Sequence, residues 1–276
     1  MPLWSRIILL AAAALALGCN SNSDTALSFY EQSPSESPTE EFHQELILSV
    51  DDALEIFDAA NLSLAENKSR SAAVKVVRPL KNGHGSGTYL KMHGRFVVVT
   101  AAHVVGSATT MFIDGRDNER VVGSLVYIDH PNDLAVLVVP PLKTRSPIPY
   151  RPKRTGANLI GAKINYTGFP GHHDLLTIRG DVASLERGMI VVNMFGWFGS
   201  SGSGVYDVQG RLLGVVSGID VGNYMIPLPL HSIVWVAPIW ELDRDILKSR
   251  VKSAPSMAII KSFPGAASPR RGTARD

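Results

Sequence analysis

Apolar residues fall into four textures along the chain, and each predicts a different kind of structure. Residues 7–18 form an unbroken apolar run behind the cation of Arg6. The run is too short to cross a bilayer as a mature helix and has the form of a secretion signal spanning 1–18. Residues 19–45 are rich in Ser, Thr, Pro, Asn and Glu; they bury too little surface to offset their ordering entropy and are expected to act as a disordered tether. Ile47, Val50, Leu54, Phe57 and Leu64 then recur at roughly helical spacing up to Asn67, behind a capping-box pattern of Ser49 and Asp52. That spacing predicts one amphipathic helix, or a removable pro-segment, over 46–70. From Ala73 onward the texture becomes β-branched runs separated by turns.

These runs come in two series. The first lies at 74–77, 87–90, 96–100, 110–113, 121–128 and 134–139, enough for a small six-stranded barrel over 71–150. Pro140-Pro141 and Pro147-Ile148-Pro149 then break regular structure, as a linker between barrels would. The second series lies at 159–167, 175–178, 180–187, 189–192, 204–207 and 212–217, closed by 233–238, and predicts a second barrel over 151–240. Residues 240–250 suit a short helix, and 241–276 as a whole reads as that helix plus a tail. The fold class expected from the pattern is all-β.

Composition narrows this only slightly. A chain of 276 residues that is 45% hydrophobic and 19% charged is not disordered throughout and has room for one large or two modest cores. Its 24 Gly and 17 Pro favour short strands and turns over a helical bundle. A net charge of +2, clustered only at Arg270, Arg271 and Arg275 in the tail, gives no reason to expect a nucleic-acid partner. The single cysteine, Cys19, allows no internal disulfide. It ends the apolar run as Ala16-Leu17-Gly18-Cys19, which resembles the lipobox of bacterial lipoproteins, although Ala16 and Leu17 stand where that motif prefers Leu and a small residue. The resemblance implies lipidation at Cys19, contact with a membrane through that anchor alone, and an exported chain on the periplasmic or cell-surface side. An ordinary cleaved secretion signal is the alternative.

Candidate chemistry lies in three short motifs, in the order His, Asp, Ser. Val99-Thr100-Ala101-Ala102-His103 places a histidine after a buried strand. Asn132-Asp133-Leu134-Ala135-Val136 places an acid just before an apolar strand. Gly199-Ser200-Ser201-Gly202-Ser203-Gly204 frames Ser201 with Gly199 two before and Gly202 one after. Each alone has a structural reading: a core histidine, a strand cap, a flexible loop. Their conjunction resembles the chymotrypsin-like serine endopeptidases, particularly bacterial glutamyl endopeptidases and high-temperature-requirement proteases, over about residues 73–240.

The resemblance implies two six-stranded antiparallel Greek-key barrels with the active site in the cleft between them, and a polypeptide substrate. Ser201 would be the nucleophile, His103 its base and Asp133 the group that orients His103, with the N–H groups of Gly199 and Ser201 forming an oxyanion hole. Phe195, Val216, Ser217 and Gly218 would line the primary substrate pocket. Phe195 stands where trypsin-like relatives carry an acid, and the histidine of glutamyl endopeptidases would fall near Val216, so an apolar specificity is expected, with Asp220 as the rival that would favour basic residues. A catalytically silent binding module and a self-processing protease are the alternative functions. No cofactor is expected. His172-His173-Asp174 reads as a solvated turn rather than a metal site, and no peptide-binding domain is expected after the second barrel. Mass spectrometry of the mature N-terminus is expected to find a diacylglyceryl group on Cys19, and Cys19→Ser to release the protein from membranes; cleavage elsewhere would overturn this.

Overall fold

The computed structural model of the chain describes residues 61–79, 83–171, 173–223 and 227–255. Cys19, the signal-like run, the tether, most of the 46–70 segment and the tail beyond 255 lie outside them. Helix α1 (Leu64–Ala72) leads directly into the first barrel, made of β1 (Ala73–Val77), β2 (His84–Met92), β3 (Arg95–Thr100), β4 (Thr110–Asp114), β5 (Arg120–Asp129) and β6 (Leu134–Val138). Its strands follow the order β1-β4-β5-β6-β3-β2, and pairing of β2 back onto β1 closes the ring. A single turn of helix, α2 (Ala102–Val105), leaves the end of β3. The proline-rich linker contributes a two-residue strand, β7 (Ile148–Pro149), which runs parallel to β2 opposite Leu90 and Lys91.

The second barrel comprises β8 (Lys163–Gly168), β9 (Leu176–Glu186), β10 (Met189–Asn193), β11 (Gly204–Asp207), β12 (Leu212–Asn223) and β13 (Pro227–Pro238), closed in the order β10-β13-β12-β11-β8-β9. Both barrels are antiparallel, as the family resemblance implied. Several boundaries differ from the pattern: α1 starts only at Leu64, and β12 and β13 extend well beyond the runs at 212–217 and 233–238. Residues 159–162 form a turn, with Gly161 at φ +82° and the Ala162 N–H on the Leu159 carbonyl, so β8 starts later than its apolar run. The runs at 175–178 and 180–187 merge into one long strand, in which Gly180 leaves room for Asn193 and Met194 of the adjoining chain. The C-terminal helix α3 (Arg244–Ser253) starts after Asp243, whose carboxylate caps the N–H groups of Asp245 and Ile246 at 3.1 and 2.9 Å.

Alternation along most strands sorts the buried apolar residues into three cores, and in β12 a ladder irregularity opposite Val205 and Tyr206 resets it. Ala135 and Leu137 of β6 fill the first barrel with Val74, Val98, Met111 and Ile113. Their neighbours Leu134, Val136 and Val138 face outward and meet Tyr206, Leu212 and Val215 of the second barrel, together with Leu247 and Val251 of α3. That is why β6 reads Leu-Ala-Val-Leu-Val without a polar interruption: both its faces are buried. Leu213 and Val216 of β12 point the other way, into the second barrel beside Ile164, Val205 and Val234.

Helix α1 precedes the first barrel yet grips the second. Ser63 and Glu66 form a reciprocal capping box at its N-terminus. The buried Glu66 carboxylate also pairs with Arg179 of β9 through both of that residue's Nε and Nη2 donors. Ser69 meets Thr167 of β8 at 2.7 Å, and Arg70 donates to Thr177 at 3.1 Å. The Arg179 guanidinium draws the Glu66 carboxyl down to about 2 from an ordinary 4.5. A carboxyl depressed on folding stabilises the protein above its unfolded value, and that contribution disappears as pH falls toward the folded one. Glu66→Gln is therefore expected to lower the thermal midpoint by several degrees near pH 7, with the gap between wild type and variant narrowing as pH drops from about 4.5 toward about 2; an unchanged gap would mean the ion pair does not brace α1.

Candidate active site

His103 sits in α2, just past β3, where the Ala102 N–H bonds to the Asp133 carbonyl at 3.2 Å and ties the two motifs together. Asp133 closes the turn before β6 with φ +53°, a left-handed conformation that Asp tolerates better than most residues. Its carboxylate accepts from the His103 ring at 2.9 Å (Nδ1 to Oδ2) and from the His103 backbone N–H at 2.9 Å. A carboxylate can only accept, so Nδ1 carries the ring proton and the neutral imidazole presents a basic Nε2. The Asp133 side chain is 18% exposed and that of His103 50%. Burial pushes the Asp133 carboxyl up, but the hydrogen bonds from His103 and Ser217 outweigh it and leave it below its ordinary value. A negative charge thus persists beneath the imidazole at neutral pH.

Ser217 is the member of this group whose role the sequence pattern did not reveal. The ladder between β12 and β13 shifts register between Val216 and Gly218, and this irregularity surrounds Ser217. Its hydroxyl donates to Asp133 Oδ2 at 2.5 Å, while its carbonyl accepts from the Ser201 hydroxyl at 3.4 Å. No hydrogen bond joins Ser201 to His103 among the described residues; both line one groove of about 370 Å³.

The loop carrying Ser201 is held peptide by peptide. A trans peptide points its N–H opposite to its carbonyl. The Phe198 carbonyl accepts from Gly171 N–H at 2.7 Å and the Ser200 carbonyl from Ser203 N–H at 3.0 Å, which turns the N–H groups of Gly199 and Ser201 the other way. Neither is donated to another described residue. Gly199, at φ +92°, has no space for a side chain beside the Phe169 carbonyl and His84. Ser200, nearly fully buried, donates to the Trp197 carbonyl at 2.6 Å and braces the turn from inside. Ser86 of β2 reaches across from the first barrel. Its N–H bonds the Ser201 carbonyl at 2.7 Å and its hydroxyl the Gly199 carbonyl at 2.7 Å.

The remaining expected pocket residues are dispersed. Phe195 is 47% exposed, with its carbonyl held by the Tyr166 hydroxyl at 2.9 Å. The Val216 side chain packs inside the second barrel, and only its backbone faces the nucleophile loop, accepting from Gly202 N–H at 2.7 Å. Gly218 has open space where a side chain would project. Phe195, Trp197 and His231 form an aromatic cluster, the last two with ring centroids 4.5 Å apart. Among the described residues no group of three or more His, Cys, Asp or Glu is arranged to hold a metal, and no helix is long and apolar enough to cross a membrane.

Residues 85–215 match the model of the trypsin-like peptidase domain, a range that contains His103, Asp133 and Ser201. Among solved structures, the chain is similar to the serine endoprotease from Yersinia pestis (19% identity over 68% of this chain and 66% of that one, TM-score 0.54). It is also similar to an inactive serine-to-alanine form of Rv3671c from M. tuberculosis H37Rv (20% identity, 72% and 96%, TM-score 0.54). A third similar structure is the HtrA-type protease AlgW with a tripeptide (19% identity, 63% and 58%, TM-score 0.53). The chain spans just under two thirds of the Yersinia protein and 58% of AlgW. No curated protein sequence matches it. Over residues 85–215 the chain is similar to the trypsin-like peptidase domain, and its two closed antiparallel barrels are those of the chymotrypsin-like fold.

The Ser217 hydroxyl gives Asp133 a charge-assisted hydrogen bond, worth about 1.5–3 kcal/mol. Ser217→Ala is expected to lower kcat/KM by a factor of roughly 10 to 100 while leaving the thermal midpoint within a few degrees. Unchanged kinetics would show that His103 and Asp133 are positioned without it.

Proposed function

We propose that the protein is a serine endopeptidase that cleaves polypeptides through Ser201, His103 and Asp133 and an acyl-enzyme. The observation that carries this reading is the His103–Asp133 pairing, which leaves Nε2 basic in the same groove as a serine flanked by two uncommitted N–H groups. On this reading the Ser201 oxygen attacks the scissile carbonyl while its proton passes to His103 Nε2. The N–H groups of Gly199 and Ser201 bind the oxyanion that forms. Collapse breaks the C–N bond, and the same proton goes to the leaving amine. Water then enters, gives a proton to His103, and releases the acid as Ser201 takes that proton back. Asp133 stays ionised throughout and stabilises the imidazolium. In the resting geometry the Ser201 hydroxyl donates instead to the Ser217 carbonyl at 3.4 Å, a long bond that it would exchange for one to His103 on attack.

The substrate's acyl half would lie along β12 at Gly218, where open space leaves its backbone accessible. The residue before the scissile bond would meet the apolar surroundings of Phe195, which favours small or medium apolar residues such as Ala, Val or Leu. Anchorage through lipidated Cys19 would hold the enzyme at the bacterial envelope, on its exported side.

The test combines a fluorophosphonate probe with a peptide library. The probe is expected to label wild type and not Ser201→Ala, and kcat to fall roughly 10⁴- to 10⁶-fold in Ser201→Ala or His103→Ala and about 10⁴-fold in Asp133→Asn. Full activity of Ser201→Ala would remove it as nucleophile. Dominant cleavage after Lys or Arg, lost in Asp220→Ala, would replace the apolar preference with a basic one.

A further inference from the structure

We propose that the groove beside the catalytic residues selects, on the leaving-group side of the scissile bond, substrates bearing a carboxylate that Arg78 binds. The inference rests on the peptidase reading above and adds the substrate chemistry on the side away from β12. No residue of β12 lines the groove; it runs instead from Ser201 and His103 onto the first barrel at Val76, Arg78 and His84, with Phe198, 75% exposed, at its opening. If the acyl half lies along β12, the leaving segment occupies this groove.

The groove's charge is one-sided. Among the described residues, Arg78 is its single ionisable lining residue apart from the two histidines, and no Asp or Glu lines it. Arg78 also makes no ion pair with any described residue. Its guanidinium is nevertheless fixed in place, because Nη2 donates to the His103 and Val104 carbonyls, both at 2.9 Å. A guanidinium has five N–H donors. Those two bonds leave the Nε and Nη1 donors without a partner among the described residues. A pre-oriented cation with free donors on a half-buried wall binds a carboxylate without ordering a flexible side chain first. His84 does not compete for the same ligand through Nε2, which is committed to the Phe169 carbonyl at 2.8 Å. Val104 and Phe198 offer apolar contact on the way, so the site favours an apolar residue next to the cleavage point and an acid just beyond it.

The carboxylate could belong to an Asp or Glu side chain or to the C-terminus of the substrate, and the experiment separates the two. Wild-type protein is given pairs of internally quenched peptides with Glu or Gln at each of the first three positions after the scissile bond. A second set ends within that stretch as a free acid or an amide. The expected result is a kcat/KM ratio of about 5 to 20 in favour of the carboxylate in at least one set. The ratio should shrink as salt is raised and collapse to within about twofold in Arg78→Gln. Arg78 also anchors the turn bearing His103, so Arg78→Gln will lower both members of each pair; only the ratio reports recognition, and a purely positioning role leaves it unchanged. Equal rates across every pair in wild type, a preference for Lys at these positions, or a full ratio in Arg78→Gln would overturn the proposal. If Arg78→Gln fails to fold, the wild-type ratios and their salt dependence still decide it. Absence of both turnover and fluorophosphonate labelling would overturn the peptidase reading itself, a different failure from equal rates in a labelled, active enzyme.

Discussion

Two closed barrels can bring Ser201 and His103 into one groove only if the loop carrying Ser201 is registered against the strand end that carries His103, and the narrow seam at Ser86 sets that register. Ser86 is fully buried and uses every polar group it has. Its N–H and hydroxyl hold the carbonyls of Ser201 and Gly199, its hydroxyl accepts from Phe169 N–H, and its carbonyl accepts from Thr100. The seam is tight enough that Gly202, Gly168 and Gly204 have no room for a side chain against Ser86, Thr100, Ser203 and Thr88. A methyl group at any of them would wedge the barrels apart. Alignment of an attacking atom fails over shifts of about 1 Å, so these glycines belong to the chemistry as much as to the packing.

The apolar core between the barrels and the strap of α1 serve the same register at longer range. Tyr206, Leu212 and Val215 pack on the outward faces of β3 and β6, the strands that lead to and from His103 and Asp133. On another side, Glu66, Ser69 and Arg70 tie the entry to β1 onto β8 and β9. Helix α1 therefore restrains how far the barrels slide without contributing a residue to the groove.

Much of this was legible in the chain. Period-two and fully apolar runs located nearly every strand, and His103, Asp133 and Ser201 stood out because each lies in a short local motif. What escaped the sequence shares a cause: it depends on residues far apart in the chain or on one peptide's orientation. Ser217 reaches Asp133, 84 residues away, only beside a ladder irregularity that no residue pattern marks. Ser86 and Gly199 are separated by 113 positions. Arg78 acquires its setting from the carbonyls at the end of α2. The helix start at Ser63 was visible as Ser-Leu-Ala-Glu, but apolar spacing drew attention to Ser49 instead, a position outside the described residues. Local signals find elements; the pairing of elements assigns side chains their partners.

Ser217 shows how the two halves of a substrate could be felt by one set of atoms. Its hydroxyl fixes Asp133, its carbonyl holds the resting Ser201 hydroxyl, and it adjoins Gly218, where the acyl half of a substrate would approach. A chain drawn onto this strand would press on the backbone that carries both hydrogen bonds. On the opposite side Arg78 holds the carbonyls of His103 and Val104, so a carboxylate bound there would draw on the turn that orients the imidazole. The weak 3.4 Å bond of Ser201 is then the soft element between two firmly held ones. On the proposed reading, losing so long a bond would cost little, and the hydroxyl would gain a stronger acceptor in Nε2 once the groove is filled and water is excluded. Substrate binding on either side would in this way tighten the geometry that the resting site leaves incomplete.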